Sequence, residues 1–141
     1  MGSMRKTAEP KAEAEEIFLG WTTVATAEEA RRLAEGAVAS RLAACAQIDG
    51  PIRSVYRWEG KIENAEEFRV TFKFPAKQSA ALEKWLHVAH PYTVPQWISV
   101  AVASVAEPYR QWLLGSCAEG EARRKLVACV AEGRFLESKV P

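Results

Sequence analysis

Between Phe68 and Phe74 the chain alternates strictly. Phe68, Val70, Phe72 and Phe74 are apolar, and Arg69, Thr71 and Lys73 between them are polar. A period of two is that of a strand with one face buried and one face wet. Ile17 to Val24 is mostly apolar, β-branched or aromatic, and predicts a buried strand. After it the period changes. Ala30, Leu33, Ala34, Ala37, Val38 and Leu42 recur at intervals of three or four, which places them on one stripe of a helix. Thr26-Ala-Glu-Glu29 precedes that stripe as a capping box, with Thr26 accepting from the Glu29 N–H and Glu29 reaching back to Thr26. The helix is expected to end near Ala44.

From Cys45 to Trp58 the chain is again rich in strand formers, interrupted at Gly50-Pro51, where a bend or bulge is expected. Glu59-Gly60-Lys61 reads as the approach to a hairpin and Asn64-Ala65-Glu66 as its tip. Lys77 to Ala89, with Leu82, Trp85, Leu86 and Val88, predicts a second helix. His90-Pro-Tyr-Thr-Val-Pro95 must be a loop, because two prolines block regular pairing. Trp97 to Val105 predicts a last strand, and Glu107 to Leu114 a short helix with Pro108 in its first turn and Gly115 at its end. A further amphipathic segment covers Glu119 to Phe135. The order β-α-β-β-α-β is that of an α+β, ferredoxin-like domain: an antiparallel sheet with helices on one face, here followed by C-terminal helices. The expected division is a leading segment over 1–16, the domain over 17–115 and a helical extension over 116–141.

Composition narrows the function classes. The chain has 141 residues, enough for one core. With 19 Lys+Arg against 18 Asp+Glu it lacks the basic footprint of a nucleic-acid binder. No apolar run approaches the roughly 20 residues that span a bilayer, so no membrane association is expected. The five Trp are costly to expose and point to a core or a subunit interface. Cys45, Cys117 and Cys129 are widely spaced, with no CxxC pair, and predict no disulfide framework. Met1-Gly-Ser before Met4 reads as a cloning remnant. The expected compartment is the cytoplasm, with a periplasmic origin left open because a native leader could be absent.

The enzyme templates GxSxG, HExxH and the P-loop are missing, so no catalytic residue is assigned and no enzyme is expected. His90 stands on a proline-stiffened loop. It either ligates a metal or caps the second helix and bonds a backbone carbonyl. His87 could join it in chelation only if the helix persisted to His90. Cys45 is either a soft ligand for Cu(I) or a small buried hydrophobe. Tyr56, Trp58, Glu59 and Lys61 either frame a small-molecule cleft or serve subunit packing and a solvated hairpin. Arg57 and Lys73 either draw an anion there or line a polar sheet face.

Four segments in order carry a resemblance to the CutA family: Leu42-Ala-Ala-Cys45, Ser54-Val-Tyr-Arg-Trp-Glu-Gly-Lys61, His90-Pro-Tyr92 with Pro95, and Tyr109-Arg-Gln-Trp-Leu113. The resemblance covers Ile17 to Leu114. It implies a fold similar to PII signalling proteins and a homotrimer with long hairpins reaching to neighbours. It also implies a role in divalent-metal tolerance, copper above all, with no established catalytic reaction. Copper or another divalent metal at His90 and Cys45 is then the expected cofactor. A small ligand near Tyr56, Trp58, Glu59, Lys61, Lys73 and Tyr92, at a cleft between subunits, is the expected partner. The alternative is a trimeric scaffold or PII-like signalling module that binds a protein without metal. Two departures stand out. Gln96 occupies a position where the family usually has an acidic residue, and Ser104-Val-Ala-Glu-Pro108 replaces a glycine-containing turn.

Overall fold

The computed structural model describes residues 15–117, and eight segments of regular structure lie among them. They are β1 (Ile17–Val24), α1 (Ala27–Ala39), β2 (Cys45–Trp58), β3 (Lys61–Pro75), a 3-10 turn (Ala76–Gln78), α2 (Ser79–Ala89), β4 (Ile98–Ala101) and α3 (Glu107–Gly115). The sheet order is β2-β3-β1-β4 and every pairing is antiparallel, as the ferredoxin-like reading requires. The amphipathic segment 119–135 and Cys129 lie outside the described residues.

The period-two pattern of β3 becomes the floor of the core. Phe18, Gly20, Thr22 and Val24 of β1 stand opposite Phe74, Phe72, Val70 and Phe68, so all eight share one sheet face. Against it lie Ala30, Leu33, Ala34 and Ala37 of α1 and Leu82, Trp85 and Leu86 of α2, all buried. Two glycines set the closeness of this packing. A Cβ on Gly36 would lie 2.7 Å from the Trp85 ring, and one on Gly20 would lie 2.5 Å from that of Trp97. Trp97 therefore covers Gly20 and stacks on Phe74 at 5.9 Å.

Three boundaries differ from the expectations, each for a local reason. Helix α1 stops at Ala39, not near Ala44. Arg41 adopts φ 62°, its N–H bonds the Val38 carbonyl, and the Leu42 N–H bonds that of Ala37. This is a Schellman stop with arginine where glycine is usual. The Arg41 guanidinium reaches the Gly115 and Cys117 carbonyls and so ties this turn to the end of α3. The hairpin tip is Glu59-Gly60, with φ 49° and 79°, closing a Trp58–Lys61 pair. Positive φ at both positions is the two-residue turn that matches strand twist. Asn64, Ala65 and Glu66 are ladder residues opposite Val55, Ser54 and Arg53. Strand β4 is shorter than Trp97 to Val105. Trp97 turns onto the core, and Val102 and Val105 pack instead on a small second cluster of Ile17, Ala44, Leu113 and Cys117.

The capping box forms on one side. The Glu29 N–H donates to the Thr26 hydroxyl at 3.1 Å, while Glu29 Oε2 is buried without a hydrogen-bond partner. Gly50-Pro51 produces the expected bulge, between Asp49 and Ile52, within an otherwise continuous β2. No helix among the described residues is long and apolar enough to cross a membrane.

Candidate functional site

Pro91 forces the residue before it out of helical geometry. His90 accordingly ends α2 in an extended conformation, its N–H still bonded to the Leu86 carbonyl. That turn points its imidazole at the end of β1. Nδ1 accepts the Tyr92 N–H at 3.1 Å, which leaves the ring proton on Nε2. Nε2–H faces the Thr23 carbonyl and the Thr22 hydroxyl, each at 3.0 Å. Burial holds the His90 pKa below its usual value, opposed by the Thr23 carbonyl and, more weakly, by Glu29 and Glu67. Of the two roles open to His90, the structure shows the capping one: the side chain pins the loop to β1.

With the loop pinned, Tyr92 swings toward β3. Its ring meets that of His90 edge-on at 4.8 Å, and its hydroxyl donates to Glu67 Oε2 at 2.9 Å. Glu67 is only 7% exposed although it belongs to the polar set of β3. Burial first, and then the bond to Glu67, raise the Tyr92 pKa well above that of a free phenol. Between this loop and the hairpin lies a cleft of about 650 Å³. Its walls are Tyr56 and Trp58 from β2, Tyr92, Pro91 and Val94 from the loop, and Val55. Thr23, Ser54, Thr93, Gln96 and Glu67 supply its polar groups.

Tyr56, Trp58 and Tyr92 of the expected ligand set therefore meet in one cavity, and Glu59, Lys61 and Lys73 do not line it. Glu59 and Lys61 sit exposed at the hairpin tip. Lys73 is six residues along β3 from Glu67, about 20 Å away in an extended strand. There it lies over the Tyr109 ring at 5.5 Å. Glu67 carries no signal in the sequence, because a carboxylate on the wet side of a strand is ordinary; only the loop folding over it makes it buried.

The expected metal ligands are held apart. Cys45 is paired with Lys73, four positions along β3 from Arg69, the partner of the Thr23 that His90 bonds. That is about 13 Å along the strand, several times a ligand-to-metal bond. Both His90 nitrogens are used inside the chain. His87 does not share a helical face with it, and its Nδ1 lies 2.8 Å from the Glu83 carbonyl. Among the described residues no group of three or more His, Cys, Asp or Glu is arranged to hold a metal ion. The donor set as folded does not fit a resident metal.

Comparison with known proteins places this geometry. The model of the CutA1 divalent ion tolerance protein family matches residues 18–116. The divalent-cation tolerance protein CutA of Thermus thermophilus is 34% identical over 99 residues, covering 70% of this chain and 94% of that one. The chloroplastic CutA of Arabidopsis thaliana is 32% identical, covering 68% of this chain. The chain spans only about half of that relative's length, 53%. Among solved structures, CutA from Synechococcus elongatus superposes with a TM-score of 0.71 at 39% identity, over 74% of this chain and 93% of that one. That protein has also been solved complexed with a Bis-Tris molecule. None of these names states a catalytic activity. With the matched region running from β1 to the end of α3, the chain belongs to the CutA1 divalent ion tolerance family.

Proposed function

We propose that this protein acts in divalent-cation tolerance as a homotrimeric, non-catalytic module of PII-like design that binds a small organic molecule in the cleft between the hairpin and the His90–Gln96 loop. The observation that carries the reading is the cleft itself: an aromatic-walled cavity with a buried carboxylate, braced by Tyr92 and His90. A few fixed polar groups in an otherwise apolar cavity are the usual make-up of a ligand site. Divalent metal, copper included, is on this reading what the cell responds to, not a resident of the fold. The Bis-Tris complex of the Synechococcus protein supports a relative's capacity to take up a small amine polyol.

Self-association is supported by the apolar surface left open. Trp58 and Ile62 beside the hairpin tip are 47% and 70% exposed, and Ile98 on the outer strand β4 is 56% exposed. Side chains of this size on sheet edges favour a partner surface. In a trimer the cleft would border a neighbouring subunit. The cytoplasm is the proposed compartment.

The test is a fragment screen by ligand-detected and protein-detected NMR on the full chain, using neutral, cationic and anionic compounds, with Cu(II) and Zn(II) titrated separately. Expected are fragments that shift the Trp58 indole and Tyr92 resonances and compete with one another. If no compound class moves these signals at millimolar concentration, the small-ligand reading fails. Micromolar metal binding lost in His90→Ala would restore the metal reading. Light scattering should give three times the monomer mass.

A further inference from the structure

We propose that the cleft is selective for an alkylammonium ligand, a compact organic cation seated against Glu67 among the rings of Tyr56, Trp58 and Tyr92. This rests on the small-ligand reading above and names its chemical class. The charge inventory is one-sided. Among the described residues of one subunit, Glu67 is the only formally charged side chain lining the cleft, and no Lys or Arg lines it. Glu67 is 7% exposed, so its field is weakly screened. A second carboxylate adds to it: Glu29, at the start of α1, has Oε2 buried without a hydrogen-bond partner and acts electrostatically on both His90 and Tyr92.

Two nearby cations are committed elsewhere, and Arg57, between Tyr56 and Trp58 on β2, is exposed and does not line the cleft. Arg69, two residues beyond Glu67 on the same side of β3, is bidentate to Asp49 at 2.7 and 3.2 Å. Arg53 donates to the Asn64 side chain at 2.7 Å. Within one subunit, an anionic ligand would meet a buried carboxylate with no lining cation to offset it. A bare divalent ion would find one carboxylate where it needs several oxygen ligands, and no cluster of three donors exists among the described residues. A cation spread over methyl or methylene groups satisfies both halves of the site. Its charge faces Glu67, and its apolar shell lies on aromatic rings that attract positive charge.

The test compares three molecules of nearly one shape by calorimetry on the full chain: choline, its neutral carbon isostere 3,3-dimethylbutan-1-ol, and the anion 3,3-dimethylbutyrate. Choline should bind at least about tenfold more tightly than the alcohol, and the anion should not bind measurably. Glu67→Gln, which keeps an acceptor for Tyr92, should erase the preference for choline over the alcohol. Trp58→Ala, at a half-exposed ring whose loss does not threaten the core, should weaken choline by roughly fivefold or more. If Glu67→Gln fails to fold, the choline-to-alcohol ratio and Trp58→Ala decide. Equal or tighter binding of the alcohol or the anion would overturn the cation proposal and leave the small-ligand reading standing. If none of the three binds, the cation proposal fails on its own. Failure of the whole fragment screen takes the small-ligand reading with it.

Discussion

Replacing Tyr92 by phenylalanine removes one oxygen and isolates the contact that braces the cleft. The hydroxyl donates to Glu67 Oε2 at 2.9 Å. A hydrogen bond to a charged acceptor contributes about 1.5–3 kcal/mol. Glu67 is buried, but the cleft admits water, which can replace part of the lost donor. The expected loss is therefore about 1–2 kcal/mol at neutral pH. Urea unfolding followed by Trp fluorescence, at one fixed protomer concentration, measures it. A cycle with Glu67→Ala, which removes the acceptor, should give a coupling of about 1 kcal/mol, because the two groups meet directly. The pH dependence supplies an independent check. The Tyr92 pKa is raised in the fold, so the unfolded chain loses this proton first as pH climbs past 10. Its stabilisation is complete below pH 10 and declines above it, toward the higher pKa of the folded state. The gap between wild type and Tyr92→Phe should be flat from pH 7 to 9 and shrink above 10. A change under about 0.3 kcal/mol with zero coupling would refute the bracing role.

Other substitutions probe the rest of the scaffold. His90 is held neutral, with its pKa below the usual 6.5, so the stability it contributes is complete above that pH. His90→Gln should cost about 1–3 kcal/mol at pH 8, and the deficit should narrow as the pH falls below 6.5 and the unfolded wild-type chain takes up a proton. A pH-independent deficit in denaturant melts would contradict the neutral-imidazole account. Glu59→Asn, at φ 49° in the hairpin turn, should stabilise by about 0.5–1 kcal/mol, visible as a Tm rise of a few degrees. No rise in calorimetry would mean that the turn is not under backbone strain. Gly20→Ala places a methyl 2.5 Å from the Trp97 ring and should cost about 1–3 kcal/mol, with a shifted Trp fluorescence spectrum. An unchanged melt and spectrum would mean that the indole moves aside freely.

The hydrophobic pattern predicted this fold well where burial follows a period. The alternation Phe68 to Phe74 and the stripe Ala30, Leu33, Ala34 and Ala37 became the floor and roof of one core. Where the backbone uses a residue against its usual preference, the pattern misled. Arg41 in a glycine-type helix stop and Glu59 in an asparagine-type turn moved two boundaries that propensity could not locate. Trp97 reads as a strand residue, yet it turns inward, where Gly20, lacking a Cβ, leaves room for its ring.

The site was less legible than the fold. Sequence by itself determined the strand and helix order, the proline-stiffened loop and the aromatic character of Tyr56, Trp58 and Tyr92, because these follow from local preference and periodicity. Tertiary structure alone decided that Tyr92 meets Glu67 across 25 positions of chain, that His90 spends both nitrogens holding the loop, and that Lys73 stands with Tyr109 at the far end of the sheet. The physical reason is that burial and hydrogen-bond partners depend on antiparallel register and on one loop folding back over the sheet. Glu67 carries the same residue type as its exposed neighbour Glu66; its partner in Tyr92 and its loss of solvent arise only when the loop closes over it.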